Sequence, residues 1–165
     1  MSEYCVIVAD AARARFFTLE PRTEPETESG PKLLERKTLV NPEGELREGE
    51  VFDSARGGRN RGAGGAMHGF DDHRAHHTQE FARRFAKLVA AETLRLAKDE
   101  HARHVVLVAD SRMIGLLRKE MAAHEKNGLD VRDLARDMTK RTPAEIQEHL
   151  AREEFVPPCR KPGQA

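Results

Sequence analysis

Apolar positions along the chain fall into short blocks separated by polar stretches. Tyr4 to Ala9 is a continuous apolar run rich in β-formers, which predicts a strand buried on both faces and ended by Asp10. Ala14 to Leu19, with Phe16 and Phe17, predicts a second strand close enough to pair with the first as a hairpin. Glu20 to Pro31 is acidic and holds Pro21, Pro25 and Pro31, the composition of a solvated loop; Leu33 to Val40 then supplies a third strand. Phe81, Phe85, Leu88 and Val89, at spacings of three and four, predict the inner face of a long helix capped by Asp71 or Asp72 and running to about Glu100. Val105 to Ala109 is a fourth strand, and its ending Val-Leu-Val-Ala-Asp110 repeats the Val-Ile-Val-Ala-Asp10 of the first. Asp110 or Ser111 caps a helix through Met113, Ile114, Leu116, Leu117 and Met121, closed by Asn127-Gly128. Leu129 to Leu134 is a weaker fifth strand. Thr142-Pro143-Ala144-Glu145 combines an N-cap, Pro at the first helical position and a capping-box Glu, and predicts a last short helix through Leu150.

The order is therefore β-β-β-α-β-α-β-α, an α/β fold. Strands joined without helices pair antiparallel, whereas strand-helix-strand units are parallel and right-handed. The expectation is a mixed five-stranded sheet with helices on both faces, the RNase H-like arrangement. In such a sheet the first and fourth strands are neighbours. Asp10 and Asp110 then emerge together at the carboxyl ends, near the switch point where open α/β sheets bind ligands.

Residues 41–70 interrupt this regularity. They show no period and hold eight of the chain's twelve Gly, an unusual length for a loop inside a compact domain. Ser54 to Phe70 carries Arg56, Arg59, Arg61 and His68 and no acid. The formal net charge of zero, 28 Lys+Arg against 28 Asp+Glu, argues against binding to nucleic acid by bulk charge. Yet residues 20–53 carry ten acids against five bases, so the zero is the sum of an acidic stretch and a basic arm.

The length of 165 residues fits one domain over residues 1–155, with 41–70 as a flexible Gly/Arg-rich loop and 156–165 as a loose tail. Hydrophobic residues at 38% against charged ones at 34% allow a core that cannot involve every segment. No apolar run approaches the ~20 residues needed to cross a bilayer, so no membrane partner is expected. The start lacks the apolar core and basic flank of a signal peptide. Two Cys without C-x-x-C spacing give neither a disulfide framework nor a zinc knuckle, and the expected location is cytoplasmic.

Three constellations could carry chemistry. Asp10 and Asp110, with Glu80 or Asp133 as a third carboxylate, could hold Mg²⁺ or Mn²⁺ for phosphodiester hydrolysis. The plainer roles, Asp10 shaping a turn and Asp110 capping a helix, need no third carboxylate and take precedence. His73 and His77 lie one helical turn apart beside His68, His76 and Asp72, a geometry suited to a transition metal, but no H-E-x-x-H occurs and solvated imidazoles are the plainer reading. No cofactor is expected. The Gly-Arg segment lacks the order of a phosphate-binding nucleotide loop. Flexible backbone interleaved with guanidinium groups suits irregular, phosphate-rich structured RNA, with a partnerless spacer as the alternative. Cys5, Ser54 and Ser111 have no nucleophile motif around them.

With these elements placed, the sequence resembles the bacterial family described as required for attachment to host cells. The matching features are Val8-Ala9-Asp10-Ala11-Ala12-Arg13-Ala14-Arg15-Phe16-Phe17, Leu39-Val40-Asn41-Pro42, Val51-Phe52-Asp53-Ser54, Phe81-Ala82, Val106-Leu107-Val108-Ala109 and Asp137-Met138-Thr139-Lys140, over about residues 4–150. That family is in turn similar to the central domain of archaeal and eukaryotic peptide-chain release factors and their ribosome-rescue relatives, which has an RNase H-like fold. The resemblance implies that a basic loop between the third strand and the long helix reaches the ribosome. In release factors that loop bears Gly-Gly-Gln and promotes peptidyl-tRNA hydrolysis. Here it reads Arg61-Gly62-Ala63-Gly64-Gly65-Ala66, with Ala66 in the place of the Gln and no side-chain amide to orient water. The implied function is a noncatalytic domain docking on ribosomal RNA or a translation complex through Arg56, Arg59, Arg61, Gly64, Gly65 and His68. The alternatives are a metal-dependent nuclease using Asp10 and Asp110, and an indirect role in attachment to host cells.

Overall fold

The computed structural model describes residues 2–43 and 67–164, with side chains in the long helix described from residue 79 onward. Five strands, β1 (Tyr4–Ala9), β2 (Arg13–Glu20), β3 (Lys32–Val40), β4 (His104–Ala109) and β5 (Asp130–Ala135), form one sheet in the order β3-β2-β1-β4-β5. The helices α1 (Met67–Glu100), α2 (Ser111–Glu125) and α3 (Pro143–Arg152) follow in the expected element order among the described residues. β1–β2 and β2–β3 pair antiparallel, while β1–β4 and β4–β5 pair parallel.

The central strands are apolar throughout because both of their faces are covered. Period-two alternation sends Cys5, Ile7, Ala9, Val105, Leu107 and Ala109 to one face, where they meet Phe85 and Val89 of α1 and Met113, Leu117 and Met121 of α2. Val6, Val8, Phe17, Val106 and Val108 go to the other, against Ile146 and Leu150 of α3. Each such large apolar side chain stabilises the fold by about 1.5–3 kcal/mol through its removal from water.

The helix ends follow their local sequence. Asp110 caps α2, its side chain accepting the Met113 N–H, and the chain turns out of α2 at Gly128 with φ of 94°. Thr142 caps α3 by accepting the Glu145 N–H, and its hydroxyl donates to Glu145 Oε1 at 3.0 Å.

Three expectations are corrected. α1 begins at Met67, so Asp71 and Asp72 lie within its backbone rather than at its cap. Helix propagation adds a hydrogen bond per residue, and one interior Gly, here Gly69, costs only about 1 kcal/mol. Leu88 is 56% exposed and does not belong to the inner face. Small residues take that role: Ala82, Ala86 and Ala90 are buried beside Phe85 and Val89, which lets the helix lie close to the sheet. The tail is also held rather than loose. Gly30 and Arg160 exchange both backbone hydrogen bonds at 2.9 and 3.0 Å, and Gly163 N–H donates to the Pro25 carbonyl at 3.0 Å. Arg22 donates to the Lys161 and Gln164 carbonyls, and Val156 is buried. The Pro-rich 20–31 loop thus adds polar partners to the bonds the tail makes within itself between Lys161 and Gln164.

At 34 residues α1 is ~51 Å long, more than twice the ~20 Å rise of a six-residue strand such as β1. No helix among the described residues is long and apolar enough to cross a membrane.

Candidate functional site

The parallel register of β1 and β4, with Val8 opposite Val108, carries both strands to the same edge of the sheet, where Asp10 and Asp110 follow them. The two carboxylates then act differently. Asp10 Oδ1 accepts the N–H groups of Ala12 and Arg13 at 2.7 and 2.8 Å, and its own N–H donates to the Arg13 carbonyl, closing the β1–β2 turn. Asp110 Oδ1 accepts the Met113 N–H at 2.8 Å at the start of α2. The register brings both residues to one edge of the sheet, and the bonds each makes are those of a turn and of a helix cap.

Neither candidate third carboxylate is unengaged. Glu80 bonds Arg84 at 2.9 Å, and Asp133 receives a two-pronged pair from Arg118. Among the described residues no group of three or more His, Cys, Asp or Glu is arranged to hold a metal ion. Cys5 is fully buried, and burial, aided by Glu100, pushes its thiol up to about 12, which suits packing rather than nucleophilic attack.

The same edge is stitched together by residues that the apolar pattern does not single out. Asn41 is buried; its N–H donates to Ala12 O at 2.8 Å, its Nδ2 to Ala11 O at 3.0 Å, and its Oδ1 accepts the Glu43 N–H at 3.2 Å. The chain leaving β3 is thereby fastened to the Asp10 turn. Arg15, a charged residue inside the apolar run of β2, donates from Nη1 to the carbonyls of Thr139 and Arg141 at 3.0 and 2.6 Å. Its Nε and Nη2 each reach Glu35 at 2.9 Å, and its guanidinium lies 5.0 Å from the Phe17 ring centroid. The bonds from Arg15 hold Glu35 below the ordinary glutamate range, outweighing partial burial. Asp137 Oδ1 accepts both the N–H and the hydroxyl of Thr139, ordering the segment before α3.

The edge thus gathers the β1–β2 turn, the exit from β3, the start of α2 and the Asp137–Arg141 segment. Between the exit from β3 and the start of α1 lies the basic Gly-rich stretch. Arg56, Arg59, Arg61, Gly64, Gly65 and Ala66 fall outside the described residues. His68, His73 and His77 lie on the backbone of α1, the latter two four residues apart, while their side chains also fall outside the described set.

Arg15 and Asn41 were detectable in principle, one as a lone charge among β2 apolars and the other as an Asn-Pro step after a strand. Their partners, up to 126 residues away in sequence, were not.

No curated protein matches the chain. The family model for a protein required for attachment to host cells matches residues 5–150, from the second residue of β1 to near the end of α3, and so takes in all five strands. The chain belongs to the family of proteins required for attachment to host cells.

Proposed function

We propose that this chain is an RNase H-like, release-factor-like domain that binds ribosomal RNA or a translation complex in the cytoplasm without hydrolysing a substrate. The observation that carries the reading is the position of the acid-free Gly/Arg stretch between β3 and α1. Asn41 fastens the exit from β3, ahead of an acidic segment that leads into that stretch, to the Asp10 turn, and α1 begins at Met67 within its last residues. A strand order of β3-β2-β1-β4-β5 with helices on both faces supports the fold assignment. In this reading Arg56, Arg59 and Arg61 bind phosphates, His68 adds a donor, and Gly64 and Gly65 let the backbone approach the RNA. Ala66 supplies no amide, so the domain occupies a site rather than catalysing there. The attachment phenotype for which the family is described then arises indirectly, through translation.

Cosedimentation with ribosomes tests it. Wild-type protein is expected in the ribosomal pellet at low salt, and replacement of Arg56, Arg59 and Arg61 by Ala is expected to release it, with binding that falls steeply as salt rises. Cosedimentation unchanged by that triple substitution would overturn the reading. The alternative of a Mg²⁺- or Mn²⁺-dependent nuclease draws on the adjacency of Asp10 and Asp110. It requires cleavage of RNA or DNA that Asp10→Asn abolishes.

A further inference from the structure

We infer that the groove between α1 and α2 is a second RNA-contacting surface, one that follows the phosphate backbone along the helix into which the Gly/Arg stretch leads. The inference rests on the RNA-binding reading above and adds a surface made of residues that reading does not use.

The two helices cover the same face of the sheet and leave between them a groove of about 290 Å³. Its rims carry Arg83, Arg84 and Lys87 from α1 and Lys119 from α2, against Glu80 and Glu120. Arg84 is engaged by both Glu80 at 2.9 Å and Glu43 at 3.1 Å, a trio that carries one net negative charge and leaves the groove's positive character to Arg83, Lys87 and Lys119. Arg83, Lys87 and Lys119 have no ion-pair or hydrogen-bond partner among the described residues. Elsewhere on the same helices Arg95 pairs with Glu92 and Arg118 with Asp133, while Lys98 and Arg112 stand apart from one another without such a partner among the described residues; the groove differs in gathering its cations at one place.

Three unpaired cations therefore converge on one groove, with Glu120 as the uncompensated acid. Arg83 and Lys87 stand one turn apart on α1, ~6 Å along its axis, so both reach the same side. Ala86 and Leu116 also line the groove and bring no competing charge. A chain of phosphates satisfies several such cations at once and gains from release of its condensed counterions. A single exposed carboxylate of another protein offers each of them less than ~1 kcal/mol.

The test measures binding of a fluorescein-labelled single-stranded RNA and of ribosomes by full-length wild type, by an Arg83→Ala/Lys87→Ala/Lys119→Ala variant, and by the Arg56→Ala/Arg59→Ala/Arg61→Ala variant. All three cations are exposed, so the groove variant should melt with the wild type. We expect it to bind RNA about tenfold more weakly, and its log K against log salt slope to fall by about 2, as three phosphate contacts at ~0.7 each require. If only the loop variant loses binding, the groove inference is overturned and the loop reading stands. If only the groove variant loses it, the groove stands and the loop reading falls. Loss in both supports both. A wild type that binds neither probe, or variants that both bind as it does, overturns both.

Discussion

On one face of the sheet, α1 and α2 press Phe85, Val89, Met113, Leu117 and Met121 onto alternate residues of the central strands, and small Ala82, Ala86 and Ala90 let α1 settle close. On the other, the ten-residue α3 brings only Ile146 and Leu150 fully into the core, with Met138 and Val156 beside them. Polar fasteners make up the difference there. Buried Gln147 accepts the Leu33 N–H at 3.0 Å and donates to the Pro31 and Pro157 carbonyls at 2.8 and 3.3 Å. It closes part of the exposed edge of β3 while tying down the tail. Arg15 does the same for the segment before α3. One face is held by apolar bulk and the other by few contacts of higher specificity, so the two should fail differently.

The largest effect is expected on the first face. Phe85→Ala should cost about 4 kcal/mol and lower the denaturant midpoint for every probe together, since the core beneath it is shared with β1 and β4. A loss below about 1 kcal/mol would mean that α1 is not the principal cover.

Gln147→Ala should cost about 2 kcal/mol, because it leaves a buried N–H and two carbonyls without their partner. Its signature should be local: faster amide exchange in β3 and residues 156–164 with β1 unchanged. Uniform acceleration across the sheet would erase the contrast between the faces. Thr142→Ala removes the cap of α3 and should cost about 1 kcal/mol, read by thermal melting.

Acid gives the smallest and most selective probe. Glu35 (bonded by Arg15, with burial opposing) and Glu92 (bonded by Arg95, with Lys37 adding) both titrate below the ordinary glutamate value of 4.5 in the folded chain. Their contribution is complete above the unfolded value and is lost as pH falls through the lower folded one. Glu35→Gln and Glu92→Gln should each flatten the melting temperature against pH below about 4.5. Glu35→Gln should alter exchange near Thr139, and Glu92→Gln exchange in α1. Curves that keep the wild-type slope would show that neither pair senses acid.

How much of the fold is legible in the sequence depends on how local its cause is. The strands of the centre announce themselves as unbroken apolar runs because both faces are covered, and Thr142-Pro143-Ala144-Glu145 carries its whole cap within four residues. Leu88 misled because a hydrophobic pattern weighs Leu above Ala, whereas a helix lying close to a sheet needs Ala. Asp10 and Asp110 end the same Val-Ala-Asp pattern, and the three residues after each decide its role. Ala11-Ala12-Arg13 turns into an antiparallel strand, while Ser111-Arg112-Met113 opens a helix. The partners of the tail, of Gln147 and of Arg15, most of them backbone groups, were invisible because only the finished fold brings them near.

The length of α1 has a mechanical consequence. Fifteen residues, ~22 Å of helix, separate Met67 from Ala82, the first buried residue among the described side chains of the helix. A continuous α-helix transmits both distance and rotation, so it works as a ruler with a phase. Met67, the point of attachment, is offset from the sheet by a set height and a set azimuth. Inserting two residues ahead of Ala82 would swing that attachment point by ~200°, whereas inserting seven would raise it ~10 Å and return it almost to its original bearing.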